Sequence, residues 1–435
     1  MSGGLTYLLW SDLVGMSRVR GVPTVDFERR LESGVGWAAA GQAMTPFTDI
    51  IDNVWGPVHE VRQIPDPAAR FTIPADGIHP AVDAAICDSR LGPEEEWDCC
   101  ARTFLRHALA DLHERTGLAL RSSFEHEFLL TGDGVGPDAP FSFGAARRVQ
   151  PVLLQMHECL VAAGVGVETV EPEYGIGQFE ISCKPELGLR GGDSALIARE
   201  VIREVARRHG LNATFTPKPA PEAVGNGAHI HLSLADADGA NVTYDADGPL
   251  GLSAVAARFA AGIMAHVHAL VAVTAPAPIS YHRLGPHHWS CGFSAIGLQN
   301  REAAIRIIPG VGDDAAVARG YNLEFRPSDA LASPYLALGA LVRAGLDGIE
   351  RALPLPPPAA IDPADMSEAD REAAGIRPLP TSLAAALDTL EADAIARGWF
   401  APRLFETFVS VKRWEEAAAA AMPAQDVFAR YRAAY

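Results

Sequence analysis

Four short segments carry acidic residues, histidines or polar groups on alternate positions, with apolar residues between them. Alternate side chains of a β-strand point to opposite faces, so each segment predicts a strand with one apolar face and one face of metal-ligand or anion-binding groups. By segment, those groups are Glu125 and Glu127 in SSFEHEFLL, Gln178, Glu180 and Ser182 in GQFEISC, His229, His231 and Ser233 in GAHIHLSL, and Asn322, Glu324 and Arg326 in NLEFRP.

The chemistry of these faces depends on whether they converge. A single alternating strand is typical of any half-exposed sheet, and a lone His-x-His is equally ordinary. Four such strands brought together would crowd several carboxylates, which raise one another's pKa unless cations neutralise them. Oxygen-rich ligation with an imidazole suits Mg²⁺ or Mn²⁺ better than Zn²⁺. The pattern therefore predicts a divalent-metal site.

Arginines follow the same strands. Arg283 lies in SYHRLGP, Arg301 and Arg306 lie in QNREAAIRIIP, and Arg326 ends the last acidic strand. Any one of them alone would be read as a surface or ion-paired residue, but divalent metals beside guanidinium groups are what phosphoryl transfer requires. The sequence has no P-loop, no strand–GxGxxG–helix unit, no GxSxG and no HExxH, so metals and arginines would have to form the phosphate site.

The elements that position these residues form an α+β pattern. Residues 5–90 read as short strands broken by Gly and Pro. A helix is predicted to begin at Pro93, followed by three glutamates at the positive end of its dipole, and to end at Gly117. The rest lacks a regular βαβ repeat, which favours a mostly antiparallel sheet. The predicted domains are residues 1–92 and 93–435.

Composition excludes several classes of partner. The formal charge of −18 argues against nucleic acid and against an anionic membrane surface. The six cysteines show no paired spacing and are predicted to be free thiols in a reducing cytoplasm. We expect no signal peptide, and no apolar run reads as long enough to cross a bilayer.

These motifs resemble, in order and spacing, those of the glutamine synthetase superfamily. The resemblance covers nearly the whole chain and is strongest from Phe124 to Tyr335. It is carried by FEHEF, EYGIGQFEI, FTPKP, GNGAHIHLSL, SYHRLGP, NREAAIRI, LEFRPSDALASPYL and VSVKRWE. Each motif alone is modest evidence, whereas the ordered set is specific.

The resemblance implies roles for individual residues. One metal would be held by Glu127, Glu173 and Glu180, and a second, which bridges the ATP phosphates, by Glu125, His229 and Glu324. Substrate glutamate would be bound by Gly225, Arg283 and Arg326, and the nucleotide by His231, Ser233, Arg301 and Arg306. The catalytic group is expected to be Arg301, Arg306 and Glu324.

The resemblance also implies a fold, an assembly and a reaction. The fold would be a small N-terminal β-grasp domain and a catalytic α/β domain with an open antiparallel barrel. The chain would form hexameric rings stacked into a dodecamer, with two or three Mg²⁺ or Mn²⁺ ions in each site. ATP would activate the γ-carboxylate of glutamate as γ-glutamyl phosphate, and an amine would then displace phosphate.

The sequence departs from ammonia-using members where the amine binds. Those members carry a Glu shortly after the segment of Arg283, whereas this chain has Trp289 in RLGPHHWSC. The family's N-terminal Asp for ammonium is also missing, with Asp49 and Asp52 as candidate substitutes. An indole suits an amine with an organic substituent. This places the chain nearest the γ-glutamyl-amine ligases, whose acceptors are alkylamines, aromatic amines or polyamines.

Several alternatives stay open at this point. Because the loop itself carries no acidic residue, a weakly charged or aromatic amine is favoured over a polyamine. His287 or His288 could accept the amine's proton, or both could be ordinary loop residues. A glutamine synthetase that uses ammonia, a zinc hydrolase built on His229 and His231, and a non-catalytic relative are the competing functions.

Overall fold

A computed structural model describes residues 4–435. Its N-terminal part is a five-stranded sheet in the order β2-β1-β5-β4-β3, with β1 and β5 parallel and the other pairs antiparallel. The mixed sheet with one helix agrees with the predicted β-grasp architecture. Its elements are β1 (Leu5–Ser11), β2 (Ser17–Pro23), α1 (Phe27–Ser33), β3 (Val35–Ala38), β4 (Glu60–Ile73) and β5 (Val82–Arg90).

The second part is built on a nine-stranded, curved and nearly closed sheet. Its main order is β12-β13-β14-β11-β6-β8-β7, and β9 and β10 both pair with β6. All these pairs are antiparallel except β12 with β13. The strands are β6 (Ala119–Thr131), β7 (Val167–Pro172), β8 (Gln178–Cys183), β9 (Glu186–Leu187), β10 (Asn212–Thr214), β11 (Ala228–Ala235), β12 (Phe293–Leu298), β13 (Ala303–Ile308) and β14 (Asn322–Phe325).

Within residues 4–435, twelve helices accompany this sheet. They are α2 (Ala101–Thr116), α3 (Phe143–Arg148), α4 (Gln150–Ala162), α5 (Leu189–Arg208), α6 (Ala254–Thr274), α7 (Asp314–Gly320), α8 (Pro334–Glu350), α9 (Glu368–Ala373), α10 (Leu383–Ala392), α11 (Ala394–Gly398), α12 (Pro402–Ala420) and α13 (Ala424–Ala434). Among them, α2, α4, α5 and α6 pack directly on its strands. The apolar face of each motif strand lies in the core, as Phe124, Phe179, Ile230 and Phe325 show. The polar faces are thereby turned together, away from the helices.

The predicted start of the helix after residue 92 is wrong. Residues 93–96 form a turn in which Leu91 N–H donates to the Glu95 carbonyl, and Arg90 pairs with Glu96 in a β-bridge. These contacts extend the edge of the N-terminal sheet and leave no room for a helical turn. The helix begins at Ala101 and ends, as predicted, at Gly117, whose φ of 74° is in the left-handed region that glycine tolerates.

A buried arginine connects the two parts. Arg102 on α2 donates to Asp193 on α5 and to Asp88 on β5, at 2.9 and 2.8 Å, and to Asp66 on β4 at 2.8 Å. Its side chain is almost completely buried. Because Asp66 and Asp88 belong to the N-terminal sheet and Asp193 to the catalytic part, this ion cluster fixes one against the other.

One helix is long and apolar enough to cross a membrane by length and composition. This differs from the sequence prediction that no apolar run is long enough. The helix α6 has 21 residues and contains an 18-residue apolar stretch with a mean hydropathy of 1.5. However, 67% of that apolar stretch is buried, and α6 packs against α8 and α10. Its apolar composition is accounted for by a position in the core, where a helix is hydrophobic on most sides.

Candidate active site

Three side chains from three adjacent strands meet on the polar face of the large sheet. They are Glu125 on β6, His229 on β11 and Glu324 on β14, and their ligand atoms all lie within 4.8 Å of one another. His229 stands directly opposite Glu125 in the strand register. Its Nδ1 is 3.2 Å from Glu125 Oε2 and 3.5 Å from Glu324 Oε1. This arrangement can hold one divalent cation.

A second group of carboxylates borders the first. Glu127 lies opposite Glu180 in the register of β6 and β8, and Glu173 follows β7. Burial and the charge of Glu127 raise the pKa of Glu173 to about 7. Burial, with repulsion from Glu125 and Glu127, also raises the pKa of Glu180. Acidic groups are therefore in excess here, which is the condition that a bound cation relieves.

The residues present fit a divalent metal. The donors are carboxylate oxygens with one imidazole, a set that suits Mg²⁺ or Mn²⁺. His229 Nε2 is buried and has no hydrogen-bond partner within residues 4–435. A buried nitrogen without a partner is costly in a folded protein unless a ligand or ion meets it.

Two arginines donate hydrogen bonds to Glu324, a member of the cluster formed with Glu125 and His229. Arg306 Nη1 donates to Glu324 Oε2 at 2.9 Å, and Arg326 Nη1 donates to Glu324 Oε1. Burial alone would raise the pKa of Glu324, but Arg326, followed by His229, outweighs it and lowers that pKa. Positive charge thus lies directly beside the acidic cluster, where a phosphate would meet both metals and guanidinium groups.

Two of the residues predicted to face the nucleotide, His231 and Ser233, lie on β11, the strand that carries His229. His231 Nε2 is 2.8 Å from Glu125 Oε1, and its Nδ1 is 2.8 Å from Asn322 Oδ1. Although burial lowers the pKa of His231, the charge and hydrogen bond of Glu125 raise it to about 9. Ser233 is buried two residues further along the same strand face. His231 therefore contacts the acidic cluster directly, through Glu125.

Two of the residues predicted to bind glutamate, Gly225 and Arg283, lie at the glycine-rich turn whose Gly227 N–H donates to Glu127 Oε2 at 2.9 Å. A Cβ on Gly225 would lie 2.5 Å from Arg283 Cγ, so the arginine packs where only glycine leaves space. Arg283 Nη2 donates to the Ser328 carbonyl at 2.6 Å. Gln178 Nε2 donates to the Gly225 carbonyl at 2.8 Å. The glycine-rich turn is thereby held against both the acidic strands and the arginine.

The loop after Arg283 is tied down by its backbone at Trp289. Trp289 N–H donates to Glu302 Oε1 at 2.8 Å, and its carbonyl accepts from Arg326 Nη2 at 2.6 Å. The indole itself is 63% exposed, with the guanidinium of Arg301 6.0 Å from the ring centre. The side chain is thus available at the surface of the site, next to an arginine predicted to be catalytic.

The two loop histidines lie on the outside of this loop. His287 Nδ1 is 3.1 Å from Asp362 Oδ2, and His287 and His288 are both exposed. Glu302 and Asp362 therefore border a loop that carries no acidic residue of its own. The prediction that the loop itself supplies no acidic partner for a charged amine is unchanged, but two carboxylates lie beside the loop.

The sequence placed Gln178 on a polar strand face but gave no sign of its partner Asn226 or of the role of Glu302. Gln178 Nε2 donates to Asn226 Oδ1 at 2.9 Å and to the Gly225 carbonyl at 2.8 Å, which positions the turn around Gly225. Glu302 anchors the Trp289 loop. The available signal for Glu302 was its place beside Arg301 in NREAAIRI, since an acidic residue next to a predicted phosphate-binding arginine calls for an explanation.

The fold and the site together define a nearly closed sheet whose polar face carries a cluster able to hold a divalent cation, with arginines beside it. The family model for "Glutamine synthetase, catalytic domain" matches residues 98–431, and that for "Glutamine synthetase N-terminal domain" matches residues 4–94. The chain belongs to the glutamine synthetase family. It is therefore an ATP-dependent ligase that uses divalent metals and binds glutamate with either an amine or ammonia.

Individual relatives carry two kinds of name. The chain is 34% identical to the gamma-glutamylpolyamine synthetase GlnA3 of Streptomyces coelicolor, over 98% of this chain and 93% of the relative. It is 33% identical to a glutamine synthetase of Methanocaldococcus jannaschii, over 81% and 78%. A solved glutamine synthase homolog has a TM-score of 0.92 and 38% identity over 100% and 99% of the two chains. The ADP complex of GmaS has a TM-score of 0.83 and 28% identity over 96% and 94%.

Proposed function

We propose that this ligase joins the γ-carboxylate of glutamate to an organic primary amine, which is an alkylamine, an aromatic amine or a polyamine. The observation that carries this proposal is Trp289, an exposed indole at the loop position where ammonia-using relatives have an acidic residue. An indole offers a stacking or cation–π surface to a substituted amine and no charge to ammonium.

The proposed reaction has two steps. An oxygen of the glutamate γ-carboxylate attacks the γ-phosphorus of ATP, and ADP leaves. The amine nitrogen then attacks the γ-carbonyl carbon of γ-glutamyl phosphate, and phosphate leaves as the amide forms. Arg301 and Arg306 stabilise the charge of the transferred phosphoryl group, and Glu324 orients Arg306 through its hydrogen bond.

The same proposal assigns the substrate and metal ligands. Bound Mg²⁺ or Mn²⁺ would neutralise phosphate charge and polarise the phosphoryl oxygens. The proposed holders are Glu127, Glu173 and Glu180 for one ion and Glu125, His229 and Glu324 for another. The proposed glutamate ligands are Gly225, Arg283 and Arg326, and those of the nucleotide are His231, Ser233, Arg301 and Arg306.

The names of the relatives support two acceptors, an organic amine and ammonia. The name of the Streptomyces coelicolor relative includes a polyamine product, which favours the organic amine. Several others are named glutamine synthetases, and this favours ammonia as the second candidate. Glu302 and Asp362 beside the loop remove the main objection to a polyamine, so the polyamine belongs with the other acceptors.

We also propose self-association into hexameric rings, stacked as a dodecamer. The segment between β3 and β4 supports this, because Ile50, Val54 and Val58 are exposed, and large apolar side chains gathered at a surface mark contact sites. Asp49 and Asp52 are exposed on the same segment, where a neighbouring subunit's site could receive them. Mass photometry of the purified protein would measure the subunit number.

A cytoplasmic location is proposed from the cysteines. All six are free and buried, and for Cys183 and Cys291 burial raises the pKa to about 12. Buried, protonated thiols suit a reducing compartment in which no disulfide is needed.

One experiment tests the acceptor. Glutamate-dependent phosphate release from ATP is measured with ammonia, methylamine, ethanolamine, putrescine, spermidine and aniline at matched concentrations. The proposal expects at least one organic amine to exceed ammonia in kcat/KM. A kcat/KM that is highest with ammonia would identify the chain as a glutamine synthetase and would refute the inference from Trp289.

A further inference from the structure

Glu302 is a buried carboxylate at the edge of the site, immediately before β13. Its side chain is 8% exposed, and its Oε1 accepts a hydrogen bond from Trp289 N–H at 2.8 Å. Its Oε2 is buried and has no hydrogen-bond partner among the described residues 4–435. A buried acceptor left without a donor is costly in a folded protein, and more so when it is charged, so this oxygen is suited to a donor that arrives with a ligand.

The location of Glu302 relates it to the reacting groups. The peptide of Trp289 bridges the Glu302 carboxylate and the guanidinium of Arg326, one at its N–H and the other at its carbonyl. A single peptide group, that of Trp289, therefore separates the Glu302 carboxylate from Arg326, a predicted glutamate ligand. Arg301, a predicted phosphoryl-binding residue, is the neighbour of Glu302 in the chain.

We propose that Glu302 binds the acceptor amine in its ammonium form and takes its proton before attack. This inference rests on the proposed function and deepens it. The carboxylate reaches the backbone of residue 289, the position at which ammonia-using relatives carry their acidic residue. A negative charge missing from the loop is thus present on the residue before β13, against the backbone of residue 289.

The proposed step moves one proton to Glu302 and exchanges one bond at the γ-carbonyl carbon. The ammonium R–NH₃⁺ transfers one proton to the Glu302 carboxylate, which becomes a neutral acid. The freed nitrogen lone pair forms a bond to the γ-carbonyl carbon of γ-glutamyl phosphate, and the bond from that carbon to the phosphate oxygen breaks. The phosphate leaves with the electron pair, and the second nitrogen proton passes to phosphate or solvent.

The surroundings of Glu302 suit a base. Burial raises its pKa, and the negative charge of Asp362 raises it further, while the hydrogen bond from Trp289 and the charges of Arg326 and His287 oppose that rise. A carboxylate with a raised pKa is a stronger proton acceptor than an ordinary one near neutral pH.

The loop that covers Glu302 can give an amine access. His287, Trp289 and Cys291 have φ values of 58°, 52° and 88°, which non-glycine residues rarely adopt and which store backbone strain. Displacement of the Trp289 peptide would break its hydrogen bonds to Glu302 Oε1 and Arg326 Nη2 and would expose both oxygens of Glu302. The ammonium group of the substrate then replaces the peptide as donor.

Glu302→Gln tests the proposal, because it removes the charge but keeps an oxygen that can accept from Trp289 N–H. The loop anchor is therefore retained. The variant and the wild type are compared with the best organic amine and with hydroxylamine, which is unprotonated at neutral pH and needs no base. Glu168→Gln, at an exposed position on β7, is the control for loss of one negative charge.

The expected result is a loss of about 10²-fold or more in kcat/KM with the organic amine, with hydroxylamine turnover within about threefold of wild type. Raising the pH should restore amine turnover in the variant as the amine loses its proton in solution. An equal loss with both acceptors would overturn the proposal, because it would show a purely structural role. Unchanged amine turnover would overturn it as well.

Failure of the proposed function gives a different result. If the wild-type enzyme prefers ammonia, the organic acceptor is refuted, and the same comparison is made between ammonia and hydroxylamine. A selective loss with ammonia in Glu302→Gln then still supports Glu302 as the proton acceptor, while equal losses overturn it.

Discussion

Replacing Glu324 by glutamine should disable the site and destabilise the metal-free protein together. Glu324 is completely buried, and its two oxygens contact Arg306, Arg326 and His229. Glutamine has nearly the same shape, so no cavity forms. The substitution instead removes the negative charge that compensates two largely buried guanidinium groups.

The size of the effect follows from these contacts. Removing one partner of a buried ion pair costs about 3–5 kcal/mol because the other charge stays buried. We expect a loss of that order in the free energy of unfolding without metal. Arginines that stabilise phosphoryl transfer raise the rate by about 10³–10⁵-fold. Glu324→Gln should misalign Arg306 and Arg326 and also remove a metal ligand, so we expect kcat to fall at least about a thousandfold.

Two assays check this prediction. Urea unfolding measures the stability of Glu324→Gln, Glu168→Gln and the wild type, each with and without Mn²⁺, and glutamate-dependent phosphate release measures turnover. The wild type and the Glu168→Gln control should gain stability from Mn²⁺ and turn over normally, whereas Glu324→Gln should lose most of both. A Glu324→Gln enzyme that kept its Mn²⁺ stabilisation and turned over within tenfold of wild type would refute the metal assignment.

Three further perturbations have defined outcomes. Arg102→Met should lower the free energy of unfolding by about 3–5 kcal/mol, as urea unfolding would show, because it removes the cation that pairs with buried Asp193 and Asp88 and with partly exposed Asp66; an unchanged midpoint would contradict this. Trp289→Glu should raise the ratio of ammonia to organic-amine kcat/KM by about tenfold, which corresponds to 1.4 kcal/mol; a constant ratio would remove Trp289 from the amine pocket. Burial, with the charge of Arg377, lowers the pKa of His268, so its contribution to stability is present above the unfolded value near 6.5 and is lost as the pH falls below it. His268→Gln should therefore weaken the loss of stability between pH 7 and 5, and an identical pH dependence in both proteins would be the contrary result.

The polar faces of the large sheet were predictable from sequence because they depend on local geometry. A period of two assigns Glu125, Glu180, His229 and Glu324 to one face of their strands whatever the partners are. The structure adds that β14, β11, β6 and β8 are neighbours in that order, which brings the four faces together. Strand order is a property of long-range pairing, and it entered the sequence analysis only through the family resemblance.

The features that sequence reasoning missed depend on contacts between distant segments. The helix predicted from Pro93 has the correct local signals, but pairing of Arg90 with Glu96 overrides them and delays the helix to Ala101. Glu302 is reached by the Trp289 backbone through a loop conformation with left-handed residues, which no periodicity encodes. The division into residues 1–92 and 93–435 and the individual site roles stay predictions.

The central claim is that glutamate is activated by ATP and transferred to an organic amine. The most direct measurement supplies glutamate labelled with heavy oxygen in its γ-carboxylate, ATP, and equal concentrations of ammonia and the best organic amine, and analyses the products by mass spectrometry. We predict that the γ-glutamyl amide of the organic amine predominates and that one heavy oxygen appears in the released phosphate. Glutamine as the main product, or phosphate without the label, would contradict the account.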